Sequence, residues 1–422
     1  MKKIALLACF AAFSIAASAQ TMPADADPKL WERALKIHRN AIIIDGHNDI
    51  TSPMVDQDFN LADDSTGRWQ LGGDPYHTDL ARLKKSGITG EFMSIYVSGS
   101  TMQTGGAMRR AMDLIDATYR EAERHNELVM CTTAAEVRAA KKQNRICLLM
   151  GIEGGYAIEN SLYALRNFYR LGVRYMTLTH NVATDWADAH RDIKHNGLTD
   201  FGKEVVREMN RLGILVDISH VSEKVMMDVL DITKAPLIAS HSGVRGVNDH
   251  TRNVSDAVLK RLPQNGGVVM VVFYPSFLDD RTNTEENERS ARLRDQVTAL
   301  REQYKGDTAA FNEARRKLYD ANPIYIADYK RIVDHIDHIK KVAGIEHAGL
   351  GSDYDGVPFL PPPMKGAEDL ALVTYEMLRR GYTEREIRMV LGENMLRAME
   401  ATEKLAAGKR ISADGSLMKL KK

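Results

Sequence analysis

Cysteine is scarce in this chain, with three residues in 422. One of them is Cys9, near the N-terminus, which leaves Cys131 and Cys147 for the rest. That count excludes a disulfide framework, while a single bridge stays open. Net charge is also absent: 57 Lys and Arg balance 57 Asp and Glu. The balance excludes binding to nucleic acid or to an anionic membrane surface through net charge. Beyond the N-terminus no apolar run is long enough to span a bilayer. Repeats and long blocks of like charge are missing. No Gly-x-Gly-x-x-Gly follows the first apolar strand-like run, which argues against a dinucleotide fold.

The N-terminus reads as an export signal. Lys2 and Lys3 precede the apolar stretch 4–17, and Ala17-Ser18-Ala19 forms a small-x-small cleavage site before Gln20. The expected location is therefore the periplasm or the medium. A lipoprotein reading through Cys9 is disfavoured by the short apolar stretch before it. Loss of residues 1–19 removes two lysines and no acids, so the remainder is slightly negative. Cys147 lies inside ICLLMGI and is expected to pack as a small hydrophobe.

Downstream, short apolar runs alternate with longer amphipathic stretches. Eight runs read as buried strands, at 41–47, 88–97, 146–153, 173–180, 213–220, 236–241, 267–274 and 347–353. Helical patterns fall between them at 106–125, 133–143, 159–171, 200–212, 222–231 and 328–343. This rhythm predicts an α/β fold, a TIM-type (β/α)8 barrel, with a doubly wound sheet as the alternative. The charged stretch 278–327 interrupts it and reads as a helical insertion between strands seven and eight, either at the barrel mouth or as a solvated hairpin. Thr383 and Glu386 mark a capping box before a C-terminal helix. The expected organisation is a leader at 1–19, a barrel domain at 20–405 and a tail at 406–422.

The ends of the strand-like runs carry the chemistry. They bear His47 and Asp49, Glu153, His180, His220, His241 and Asp353: seven metal- or proton-competent side chains at six ends. Barrel active sites lie at the C-terminal ends of strands. His125, His190, His195, His250, His335 and His338 lack that placement and read as structural or solvent-facing. Two cations roughly 3.5–4 Å apart need a shared carboxylate, and Glu153 is the best bridge. His47 and Asp49 would complete one metal, and His220 and His241 the other. No strand-like run ends in lysine, which disfavours a carbamylated bridge. The ligand types point to Zn2+, two per chain, with Mn2+, Co2+ or Fe2+ open. Asp353 is the candidate proton shuttle, His180 the oxyanion donor and Arg252 the clamp for a substrate carboxylate.

The motifs IDGHND, GIEGG, LTHN, DISHVS, SHSG, RNVSD and GSDYDG, in that order over about residues 36–400, resemble the membrane (renal-type) dipeptidase family of zinc peptidases. The resemblance implies hydrolysis of dipeptides with a free C-terminal carboxylate by metal-activated hydroxide. It carries the metal-ligand roles to His47, Asp49, Glu153, His220 and His241. His180 and Arg252 match its substrate-contact positions, and Asp353 its acid/base. Tyr156 stands where many relatives have His, and Phe277 where some have a substrate-touching tyrosine, so Tyr274 and Phe277 are candidate substrate contacts. A homodimer is implied by the resemblance alone. The alternatives are a related hydrolase of β-lactams or N-acyl amino acids, and a catalytically silent binding protein.

Overall fold

A computed structural model describes residues 20–407. The expected leader at 1–19, and the expected tail from residue 408 onward, lie outside the described residues. Nine strands form one parallel sheet: β1 (Ile44–Asn48), β2 (Gly90–Tyr96), β3 (Leu128–Met130), β4 (Ile146–Glu153), β5 (Val173–Thr177), β6 (Leu215–Asp217), β7 (Ile238–Ala239), β8 (Val268–Val271) and β9 (Ala348–Leu350). Eight of them close into a barrel, because β2 pairs with both β1 and β4. Helices surround it, so the fold is the expected (β/α)8 type.

β3 is an addition that the sequence did not signal. It pairs with residues 146–148 of β4, the part of that edge that β5 leaves free. Six helices follow the expected pattern closely, among them Ala107–Arg124, Ala134–Lys142 and Asp200–Leu212. Thr133 and Glu136 form a capping box, as do Thr383 and Glu386. Gly213 ends the Asp200–Leu212 helix at φ 92°, a conformation open to glycine without a Cβ penalty.

Strand periodicity separates two cores. On β4, Ile146, Leu148, Met150 and Ile152 pack outward against helices, while Cys147 and Leu149 face the barrel interior with Phe92 and Tyr175. The same alternation puts Gly151 and Glu153 on the interior face. A Cβ on Gly151 would stand 1.9 Å from the Tyr175 ring, so glycine is needed there for the phenol to cross the barrel.

Cys147 does not pack as a free hydrophobe. It is bonded to Cys131, which follows β3, with 5.4 Å between the Cα atoms. In the insertion, helices span Asp280–Gln303 and Thr308–Asp320 and bury few side chains. The second of these docks on the loop at 71–72 through Asn312 and Arg315. Among the described residues no helix is long and apolar enough to cross a membrane.

The bridge closes a short loop, with a sequence separation of 16. Its removal in Cys131→Ala/Cys147→Ala is expected to destabilise the fold by about 2–3 kcal/mol, mainly by freeing the unfolded chain. Urea denaturation checks this, and an unchanged midpoint would contradict it.

Candidate active site

Six strand ends contribute to one cluster around Glu153. His47 Nε2 lies 3.3 Å from Asp49 Oδ2 and 3.5 Å from Glu153 Oε2. The other carboxylate oxygen, Oε1, lies 3.0 Å from His220 Nε2 and 3.4 Å from His241 Nε2. Glu153 thus turns one oxygen to each side. Three overlapping groups have ligand atoms close enough to hold a cation: His47, Glu153 and His241; Glu153, His180 and His220; His47, Asp49 and Asp353.

The far nitrogen of each ligand-type histidine is fixed by a polar partner. Tyr175 OH donates to the Gly46 carbonyl at 3.1 Å, so it accepts from His47 Nδ1–H at 2.8 Å. Ser240 Oγ donates to Asp217 Oδ2 at 2.6 Å and accepts from His241 Nδ1–H at 2.9 Å. His220 Nδ1–H donates to Asn181 Oδ1 at 3.3 Å. With Nδ1 protonated, a neutral ring presents a bare lone pair at Nε2. The Nε2 atoms of His220 and His241 then face each other at 2.9 Å, and Nε2 of His47 is buried without a hydrogen-bond partner. Lone pairs in such contact repel unless a cation or proton lies among them, and outer hydrogen bonds of this kind are typical of metal-binding histidines.

Electrostatics reinforce the cluster. Burial pushes His220 and His241 well below the usual imidazole range, so both rings are neutral. Burial alone would raise Glu153, but the surrounding histidines, His47 first, hold it well below the usual carboxylate range. For His47, burial opposes charge, yet Tyr175, Glu153 and Asp49 lift it well above the ordinary value. The affinity for positive charge therefore centres on Nε2, where a cation competes with the proton. Asp353 is pushed up to about 8 by burial, with Asp49 and Glu153 adding and His47 opposing.

Two of these residues adopt left-handed backbone, His220 at φ 66° and Asp353 at φ 64°. Each such residue costs about 1–3 kcal/mol and persists only where its surroundings hold it. The His220 carbonyl accepts from His190 N at 2.8 Å, and Asp353 N donates to the His47 carbonyl at 3.1 Å. Ser352 also ties β9 to β1, because its N–H donates to Asp45 Oδ1 at 2.6 Å.

The cluster opens into a cavity of about 510 Å3. Arg252 lines it but is 1 % exposed, far from the surface salt bridge that an isolated arginine would suggest. Its guanidinium donates to Ser242 Oγ and the His241 carbonyl, lies over the Phe277 ring and leaves Nε without a partner. Burial lowers it to about 10, with Asp353 the first opposing charge. Tyr274 and Phe277 line the same space. His180 does too, and its backbone N–H donates to Tyr156 OH at 3.1 Å, so Tyr156 holds the loop that carries it.

Residues 31–413 match the family profile described as membrane dipeptidase, peptidase family M19. This chain belongs to the membrane dipeptidase family. Its fold is similar to that of the probable dipeptidase PvdM from Pseudomonas aeruginosa, at 23 % identity and a TM-score of 0.74 over 90 % of this chain and all of that one. A metallopeptidase from Rhodobacter sphaeroides, bound to a phosphinate mimic of the dipeptide L-Ala-D-Ala, is 26 % identical with a TM-score of 0.67, over 86 % of this chain and all of its own. The family M19 metallopeptidase dipeptidase AC has the same identity and TM-score, over 86 % of this chain and 98 % of its own. Family membership makes the chain a hydrolase of the metallo-dipeptidase type.

Several cavity residues escaped sequence reasoning. His190 and His250, read as structural or solvent-facing, line the cavity beside Arg191 and Asn181. They lie on loops after strand ends, and only the spacing of His250, two before Arg252, hinted at a role. The Asp280–Gln303 helix also lines the cavity through Asn283, Glu286, Asn287 and Ser290, one face at helical spacing. This places the insertion at the mouth. Glu286 accepts from Tyr274 OH at 2.7 Å and from Ser276.

Gly356 tests the packing of the acidic side. A Cβ there would meet Asp49 Oδ2 at 2.2 Å and Asp353 Oδ1 at 2.7 Å. Gly356→Ala is expected to cut kcat/KM for dipeptides by about a hundredfold, the scale of a 1 Å misplacement, with little change in Tm. Wild-type kcat/KM would contradict the placement.

Proposed function

We propose that this chain is an exported dipeptidase that works with two divalent cations, zinc first among them. The observation that carries this reading is the convergence of the His47, His220 and His241 Nε2 atoms on the two oxygens of Glu153. His47, Asp49 and Glu153 would hold one cation, and Glu153, His220 and His241 the other. Imidazole and carboxylate donors of this kind suit zinc, and also manganese, cobalt or iron. Two such cations supply a lowered water pKa and polarisation of a carbonyl.

The protein's own groups then orient and protonate. Arg252, buried and without a carboxylate partner among the described residues, binds the substrate's C-terminal carboxylate through its fork of donors. Phe277 backs that guanidinium, and Tyr274, held by Glu286, shapes the adjoining wall. His180 donates a hydrogen bond to the carbonyl oxygen as negative charge grows on it. Asp353 takes a proton from the attacking water and returns it to the amine nitrogen as the peptide C–N bond breaks. The disulfide supports export, because such bonds persist in oxidising compartments.

The test is hydrolysis of Ala-Ala and of its C-terminal amide, before and after chelation. The amide is expected to lose about a hundredfold or more in kcat/KM, since it leaves a buried guanidinium unpaired. Chelation is expected to abolish turnover, and added Zn2+ to restore it. Equal rates on acid and amide would reject the Arg252 role, and turnover that survives complete metal removal would reject the metal mechanism.

A further inference from the structure

Beyond Arg252 the cavity wall holds two donors aimed at each other. His250 is buried, and its ring stacks on Phe277 with centroids 4.6 Å apart. Its Nδ1 accepts the backbone N–H of Arg252 at 3.1 Å. A neutral imidazole has one accepting nitrogen and one N–H, so the proton sits on Nε2. Burial, with Arg191 and Arg252 adding, lowers His250 to about 4, which keeps the ring neutral near pH 7. Arg191 Nη2, which can only donate, nevertheless lies 3.2 Å from that Nε2. Two N–H groups thus converge with no acceptor between them.

Among the described residues no acceptor resolves the contact. Arg191 Nε donates to Thr251 Oγ1 at 3.2 Å, and no described carboxylate forms an ion pair with its guanidinium. Glu286, also on the cavity wall, is engaged by Tyr274 and Ser276. The pair adjoins the carboxylate clamp, because the Arg252 guanidinium shares the Phe277 ring with His250, 5.3 Å from its centroid.

We propose that Arg191 and His250 form a second carboxylate subsite, which selects dipeptides whose C-terminal residue is aspartate or glutamate. The inference rests on the dipeptidase reading, with the α-carboxylate on Arg252. One side-chain carboxylate oxygen between Arg191 Nη2 and His250 Nε2 accepts from both and turns a donor–donor contact into two charge-assisted hydrogen bonds. An amide side chain offers the oxygen without the charge, and an alanine offers neither. Arg191 is exposed, so solvent screening limits the gain, while the buried imidazole fixes where the oxygen sits.

The experiment compares kcat/KM for Ala-Asp and Ala-Asn, and for Ala-Glu and Ala-Gln, in the metal-loaded full chain and in Arg191→Gln. Both substrates of a pair see the same preparation, so a loss of folded enzyme cancels in the ratio. The acid is expected to be favoured by about tenfold in the wild type, and the ratio to fall near one in Arg191→Gln. Calorimetric binding of phosphinate analogues of Ala-Asp and Ala-Asn should show the same preference without turnover. A wild-type ratio near one, or a preference that survives in Arg191→Gln, overturns the subsite. Absence of dipeptide turnover alongside an Arg191-dependent preference in calorimetry would overturn the dipeptidase reading and retain the subsite.

Discussion

The arrangement of this molecule depends on the convergence of three imidazole Nε2 atoms on the two oxygens of Glu153. The far nitrogen of each histidine is held by Tyr175, Asn181 or the Ser240–Asp217 pair, so the neutral rings of His220 and His241 turn Nε2 lone pairs toward Glu153 and each other. In a protein interior such lone pairs gain nothing from one another. Their contact becomes favourable when positive charge lies among them. The cluster at the barrel's C-terminal rim is therefore a candidate cation site.

The supporting residues follow from strand geometry. Alternation on β4 brings Gly151 and Glu153 to the interior face, and the missing Cβ at Gly151 lets Tyr175 reach across to His47. Asp217, at the end of β6, accepts from the backbone N–H groups of Ser219 and Ser240, so one carboxylate shapes the two turns that present His220 and His241. Asp45 does the same for Ser352, which precedes Asp353. The left-handed backbone at His220 and Asp353 is tolerated within this network. Rigid strands and short hydrogen-bonded turns set the site, which is how a few residues far apart in sequence come within 3–4 Å.

Much of this was legible from the sequence, for a physical reason. Barrel strands buried on both faces read as apolar runs, and the polar residues that end them stand out against that background. The barrel and the cluster from His47 to Asp353 follow from that contrast. β3 was not visible, because three residues, Leu128–Met130, carry too little pattern to separate a strand from a loop. The Cys131–Cys147 bond depends on β3 lying beside β4, and so it was hidden with it. His190 and His250 reach the cavity through loops, whose paths no periodicity encodes. The solvated appearance of the 278–327 stretch concealed one polar helix face turned to the cavity, because an open polar cavity and bulk solvent ask for the same side chains.

His47, Asp49, Glu153, His220 and His241 would together hold two cations, with Glu153 shared between them. Elemental analysis of the purified protein after equilibration with Zn2+ and removal of free metal tests it most directly, with Glu153→Ala in parallel. Two divalent cations per chain are expected in the wild type and fewer than one in Glu153→Ala, with the far-ultraviolet circular dichroism of both unchanged. Fewer than one cation per wild-type chain, or two retained without Glu153, would contradict it.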